Sequence, residues 1–246
     1  MSINSLSRLV IPLVTVLYSL STLVVAFSIS WVLLFNINFA YSGFHDVLEI
    51  SKVIEQYGPL NRHRNDFELT DKTEHQRLFA AINKAVHHQG EGLSEIVYLK
   101  PDAQVIDSLL HQTEIIHLQD VANLLDQLKV LSYLVVFFWG IVLLLYRFTP
   151  LVMPGFKQQL LGIISLILVF GLLVGVAGPV DVFYALHEWV FPSGHQWFFY
   201  YEDSLMSTLM KAPDLFGVIS LLLSAVAVVI FALLNWAGVA FIEKSL

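Results

Sequence analysis

Four stretches of the chain stay apolar long enough to cross a bilayer, whose hydrocarbon core of roughly 30 Å needs about 20 such residues per helix. They cover residues 9–35, 130–146, 160–176 and 215–242. The first contains no charged residue and is longer than the apolar region of a cleavable leader, so it reads as a retained anchor. The second is bounded by Lys129 and Arg147, and the third follows the short loop RFTPLVMPGFK. The pattern therefore predicts an all-α, polytopic membrane protein with four transmembrane helices, built as one integral membrane domain over residues 1–246.

Between the spans lie two polar loops, residues 36–126 and 177–214. The first holds helix-like periodicity at 44–57, 74–89 and 103–127, punctuated by Pro59, the Gly90–Gly92 pair and Pro101. Asp71 or Thr70 is placed to cap the middle stretch. The outer region is thus expected to be mostly helical. In the second loop, the Gly178–Pro179 break precedes a short predicted helix over 182–191.

Charge orients these elements. Arg8, Arg147, Lys157 and Lys244 lie on one side with a single acid, Glu243, whereas 19 of the 20 acids and all nine histidines lie on the other. The positive-inside rule then places both termini in the cytoplasm and any chemistry outside it. The expected address is a bacterial cytoplasmic membrane.

Composition narrows the function classes. At 57% hydrophobic and 13% charged residues, with a mean hydropathy of +0.70, the chain lacks the polar surface of a soluble domain. A formal charge of −7 argues against a nucleic-acid partner. The absence of cysteine removes disulfides, thiolate metal sites and thioester chemistry. The spans contain no internal acid, base or histidine of the kind an ion pathway would need, which argues against a transporter.

The chemistry-bearing residues concentrate at two histidines. In AQVIDSLLHQTEIIHLQDVANLLDQLK, read as one helix, Ile106, Leu110, Val121, Leu124 and Leu128 form a stripe, and His117 occupies a position where that stripe calls for an apolar residue. Glu114 and Asp120 flank it by three residues on either side, in reach to orient its ring. In the second loop His187 shares a helical face with Phe183, Val190 and Phe191, and Tyr184 borders it. The aromatic run 197–201 follows, led by Trp197, with Asp203 and Ser204 beside it as polar groups able to hold a headgroup or a peptide amine. A buried imidazole loses charge to desolvation and stays neutral, able to accept a proton. The same residues are also compatible with buried structural histidines and with an aromatic belt at the headgroup boundary.

LLHQTEIIHLQDVANLL and FYALHEWVFPSGHQWFFYYEDSLMSTLMKAPDLF resemble the paired motifs of the integral membrane family that includes the bacterial lipoprotein intramolecular transacylases. The first carries Glu, His and Asp–Val on a helix; the second a His, an apolar pair, a turn, Trp, Asp–Ser–Leu and Pro. Leu118, where the familiar members have Met, and the long first loop mark a diverged branch. The resemblance implies four spans, no cofactor and no metal. It also implies transfer of the sn-2 acyl chain of a diacylated lipoprotein onto its N-terminal cysteine amine, giving a lyso-form lipoprotein. Membrane lipid would be the other partner. By motif position His117 and His187 would be the catalytic pair, one acting as base and the other orienting the ester or protonating the leaving oxygen.

Two other classes remain open in the residues. Glu114-x-x-His117 has a spacing used by metal-binding helices, which His187, Glu188 and His195 could complete. His87 and His88 with His75 and His63 read instead as solvated surface. The first loop, with 14 acids against seven bases, would also suit a non-enzymatic sensor or adaptor with a cationic partner.

Overall fold

The computed structural model describes residues 3–243, with side chains from 12 to 242. Lys244 lies outside the described residues, as do the side chains of Arg8 and Glu243. Long helices dominate: α1 (Ile3–Asn36), then α2 (Tyr41–Val47), α3 (Ile50–Tyr57) and α4 (Lys72–Val86). A two-stranded sheet, β1 (Val97–Leu99) with β2 (Val105–Ser108), leads into α5 (Gln112–Phe148). There follow α6 (Phe156–Ala177), α7 (Pro179–Val190), α8 (Leu205–Met210) and α9 (Asp214–Glu243). Among the described residues four helical stretches are long and apolar enough to cross a membrane: Pro12–Asn36, Gln112–Phe148, Phe156–Ala177 and Asp214–Ile242. The chain is a helical, multi-pass membrane protein.

The chain divides into two compact units. One takes α1 up to Leu33, then Lys129–Ala177, then α9 from Leu222. Lipid offers no hydrogen bonds, and several polar side chains here close on the protein itself. Thr22 donates to the Tyr18 carbonyl at 2.7 Å and accepts from Trp139 Nε1 at 2.9 Å. Ser28 reaches Ser132 at 3.0 Å, a second bond between α1 and α5. Gly238 lies where a Cβ would come within 2.9 Å of the Tyr18 hydroxyl, so the missing side chain permits a close helix approach. Tyr18, Val142 and Tyr146 form one buried cluster, and Ala26, Ile163 and Phe231 another.

The other unit comprises Leu34–Leu128 and Gly178–Leu221. Its core is aliphatic and aromatic: Ile50, Ile54, Phe67, Leu78, Ile82, Tyr98, Leu109, Leu205 and Leu209 are fully buried or nearly so. Asp71 caps α4 by accepting the Glu74 amide at 2.8 Å. Glu74, buried, binds Arg77 through both oxygens and accepts the Leu99 amide at 2.8 Å, which ties α4 to β1. Asn38, Phe39 and Ala40 run consecutively left-handed, with φ of 53°, 51° and 57°, and separate α1 from α2.

One expected helix is corrected. The sequence pattern predicts a single helical stretch over 103–127, but 105–108 pair antiparallel with 97–99, Val97 opposite Ser108 and Tyr98 opposite Asp107. The alternation VIDS is a strand pattern, half-buried at every second residue. Arg64 clamps its end, donating to Ser108 O at 2.6 Å and Leu110 O at 3.1 Å. The helix starts at Gln112 because Glu114, in its first turn, reaches back to accept the His111 amide at 2.7 Å, half of a capping box. Ile106 and Leu110 therefore leave the expected stripe. The buried face of this helix start is instead Glu114, His117, Leu118 and Ala122.

Candidate active site

His117 sits in the second turn of α5, on the buried face, 9% exposed. The apolar part of that helix begins at Val130, so the histidine belongs to the polar half that precedes the span. His187 sits on α7 and is half-buried. The structure brings the two together: their ring centroids are 6.3 Å apart and their planes inclined at 32°. Phe191 packs edge-on to His117 at 5.0 Å and lies 5.3 Å from His187. Phe199 closes on His117 at 6.0 Å, while Phe183 and Trp197 close on His187 at 3.9 and 5.0 Å. Two imidazoles thus face each other inside an aromatic frame.

Burial sets their charge. It pushes His117 down to about 4, with the neighbouring His187 acting in the same direction and Asp120 against it. Burial also lowers His187, opposed by its bond to the Phe183 carbonyl. Both rings are neutral at pH 7. His187 Nδ1 lies 2.7 Å from Phe183 O. A carbonyl only accepts, so Nδ1 carries the proton and Nε2 keeps its lone pair. Neither nitrogen of His117 makes a hydrogen bond among the described residues.

The carboxylates flanking His117 are engaged elsewhere. Glu114, 1% exposed, accepts from Ser204 Oγ at 2.5 Å and from the Met206 amide at 3.2 Å, besides the His111 amide. Burial pushes its carboxyl up, against the hydrogen bonds from Ser204 and His111. Asp120 accepts from His195 Nδ1 at 2.7 Å. Neither carboxylate bonds the His117 ring, so the expected orienting contact is absent. Helical spacing gives reach but not partners: Ser204 and Met206 take one Glu114 oxygen, the His111 amide the other, and His195 takes Asp120.

The second-loop residues divide in the same way. Trp197 stacks beside His187, and Tyr184 meets Trp197 at 5.4 Å, so it borders the pair one ring away. Ser204 is fully buried; it caps α8 by accepting the Ser207 amide at 2.9 Å while donating to Glu114. Asp203 pairs with Arg62 at 2.8 Å, and its carbonyl accepts from His111 Nε2 at 3.0 Å. Ser204 therefore presents no free group to a ligand, and one oxygen of Asp203 is taken by Arg62.

No group of three or more His, Asp or Glu side chains converges in metal-binding geometry among the described residues. Glu114 and His117 share a face, but the carboxylate oxygens take protein donors. His75, read from the sequence as surface, is 2% exposed and bonds His45 across 3.0 Å. Sequence reading missed Phe199, one of many aromatics in its run, and it missed the pairing of Asp120 with His195, which no local pattern signals.

No protein-family model matches the chain, and no curated protein matches it in sequence. A solved structure does match in fold: the membrane integral lipoprotein intramolecular transacylase Lit from Bacillus cereus, determined in meso with a histidine-to-arginine substitution. The two chains are 16% identical; the match covers 98% of this chain and 96% of that one, with a TM-score of 0.64. They share a fold over essentially their whole length.

Proposed function

We propose that this protein is a membrane acyltransferase of the lipoprotein O-to-N transacylase type, with His117 and His187 as its catalytic pair. The observation that carries this reading is the facing of two neutral imidazoles within an aromatic frame. The fold shared with a transacylase supports it. The substrate would be a diacylated lipoprotein with a free N-terminal cysteine amine. The site would open on the extracytoplasmic side of a bacterial cytoplasmic membrane, with both termini cytoplasmic.

The reaction needs little from the protein. The amine nitrogen attacks the carbonyl carbon of the sn-2 ester, and its proton passes to a histidine lone pair. The C–O bond to glycerol then breaks, and the glyceryl oxygen takes that same proton, delivered by the ring that holds it or relayed through the partner ring, so that both imidazoles end neutral. An ester is lost, an amide and a hydroxyl form, and the proton moved from amine to oxygen balances. His187 suits the base, because its Nδ1–H is held by Phe183 and its Nε2 is free to accept. His117 then orients the ester or returns the proton. Because nucleophile and ester belong to one molecule, proximity can supply about 7–11 kcal/mol of the barrier when the geometry is right. Phe183, Phe191 and Trp197 offer apolar faces to the acyl chains. No cofactor has a role in this scheme.

The test is expression in bacteria whose lipoproteins remain diacylated with a free amine. Mass spectrometry of a lipoprotein N-terminus is expected to show one acyl chain on the glyceryl group and one in amide linkage. The product should vanish in His117→Ala and in His187→Ala, each checked for normal insertion. Unchanged lipoproteins in cells making the intact protein would overturn the activity.

A further inference from the structure

Helix α7, which carries His187, is thinly held. None of its residues is fully buried. It starts after Gly178, whose φ is 93°, and ends in a turn whose Gly194 has φ of 97°, so glycine bends flank it on both sides. By contrast His117 stands on a helix start fixed by the buried Glu114 network. A pair whose members differ so much in anchorage needs something to fix their separation.

Asp120 and His195 are placed to do this. Asp120 lies one turn beyond His117 on α5, and His195 closes the turn beyond α7, its amide bonded to Pro192 O. Their 2.7 Å bond joins the two elements directly beside the histidine pair. Asp120 is 12% exposed and His195 44%, so the bond is shielded on the helix side while its outer partner remains in contact with the surroundings. A carboxylate accepts only, so Nδ1 of His195 is the donor. Among the described residues no ring contact joins His195 to His117 or His187.

We propose that the Asp120–His195 bond is a clasp that sets the position of His187 against His117, making both residues positioning residues for that pair. This rests on the acyl-transfer reading for its effect on activity, but not for its effect on geometry. The clasp needs an acceptor at position 120 and a donor where Nδ1–H now stands. It does not need a titratable ring. An asparagine at position 195 carries an amide N–H close to that place, whereas alanine carries nothing.

Two readouts test it. In the lipoprotein assay, Asp120→Ala and His195→Ala are each expected to lower kcat by about 10- to 10²-fold, the scale of an approximately 1 Å misplacement, with KM changed much less. The double variant should be no worse than either single one, since one bond is lost in each case. His195→Asn should recover most of the loss. Wild-type kcat in the alanine variants, or no recovery in His195→Asn, overturns the clasp.

The second readout does not depend on activity or on the variants keeping full stability. The chain contains no cysteine. His117→Cys with His187→Cys therefore gives a single thiol pair, whose joining by a fluorogenic reagent with two bromomethyl groups, each lost as bromide on S-alkylation, reports the distance. Cross-linking should be fast with the clasp intact, about tenfold or more slower with Asp120→Ala added, and fast again with His195→Asn. Equal rates in all three backgrounds overturn the proposal. An inactive wild-type protein with clasp-dependent cross-linking would sink the acyl-transfer reading and leave the clasp standing.

Discussion

Two of the histidine pairs within one unit are built in opposite ways. His45 and His75 are both 2% exposed, bond to each other across 3.0 Å, and continue through His75 Nε2 to Thr70 Oγ1 at 2.8 Å. His75 also packs among Phe67 and His45, and His45 beside Tyr41. His117 and His187 instead face each other at 6.3 Å, with no mutual bond and with ring nitrogens left over. The first pair has spent three of its four ring nitrogens on the fold, only His45 Nδ1 being without a hydrogen bond. The second has spent only one, His187 Nδ1 on the Phe183 carbonyl. Burial lowers both pairs, pushing His75 and His117 alike down to about 4. Basicity therefore does not separate core from site; unspent hydrogen-bonding capacity does.

That contrast can be broken most directly by deletion. His117→Ala and His187→Ala should each cost about 10³-fold or more in lyso-form product, within the range of lost general acid–base catalysis, while leaving protease resistance of the unit nearly unchanged. His75→Ala should do the reverse. Removing it orphans His45 Nε2 and leaves a void, expected to cost about 2–3 kcal/mol in stability, read by hydrogen exchange across α4, with the remaining folded protein active. If His75→Ala abolished product in protein that remained folded, the division between a spent and an unspent pair would be wrong.

Acid should probe both pairs through stability. The folded values near 4 for His75 and His117 lie below the ordinary 6.5 expected of the unfolded chain. Their contribution is therefore complete above pH 6.5 and is lost as pH falls toward 4, because the unfolded state binds protons first. The loss has an upper bound of about 3 kcal/mol per ring. Hydrogen exchange measured from pH 7 to 4 should show this slope, and His75→Gln should flatten part of it. The smallest effect belongs to the scaffold of the spent pair. Asp71→Ala removes the cap of α4 and should cost about 1 kcal/mol by the same measurement, with product formation intact.

How much of this could be read along the chain differs by residue. The cap of α4 was legible to within one residue, Asp71 or Thr70, because a cap's partner lies only three residues away, and the structure selects Asp71 with Glu74. His117 and His187 stood out because an imidazole interrupts an apolar face, a local signal. The roles of Glu114, Asp120 and Ser204 were not legible, since helical spacing says which side chains could reach a ring and not which partner claims them first. Glu114 and Ser204 meet across 90 residues of sequence, Asp120 and His195 across 75. His75 was misread as surface for the same reason: its partner His45 is 30 residues upstream, on another helix.

By itself, then, the sequence determined a helical membrane protein with four apolar spans and two histidines set in apolar surroundings. Those features follow from hydrophobic periodicity and desolvation, which act over a few residues. Only the tertiary structure decided that those two rings face each other while His45 and His75 seal one another off. It also decided that the acids near His117 serve a helix cap and a clasp. Hydrogen bonds are short and saturable, so each polar group goes to whichever partner the fold brings within about 3 Å, and for Ser204, Asp120 and His75 that partner comes from a distant part of the chain.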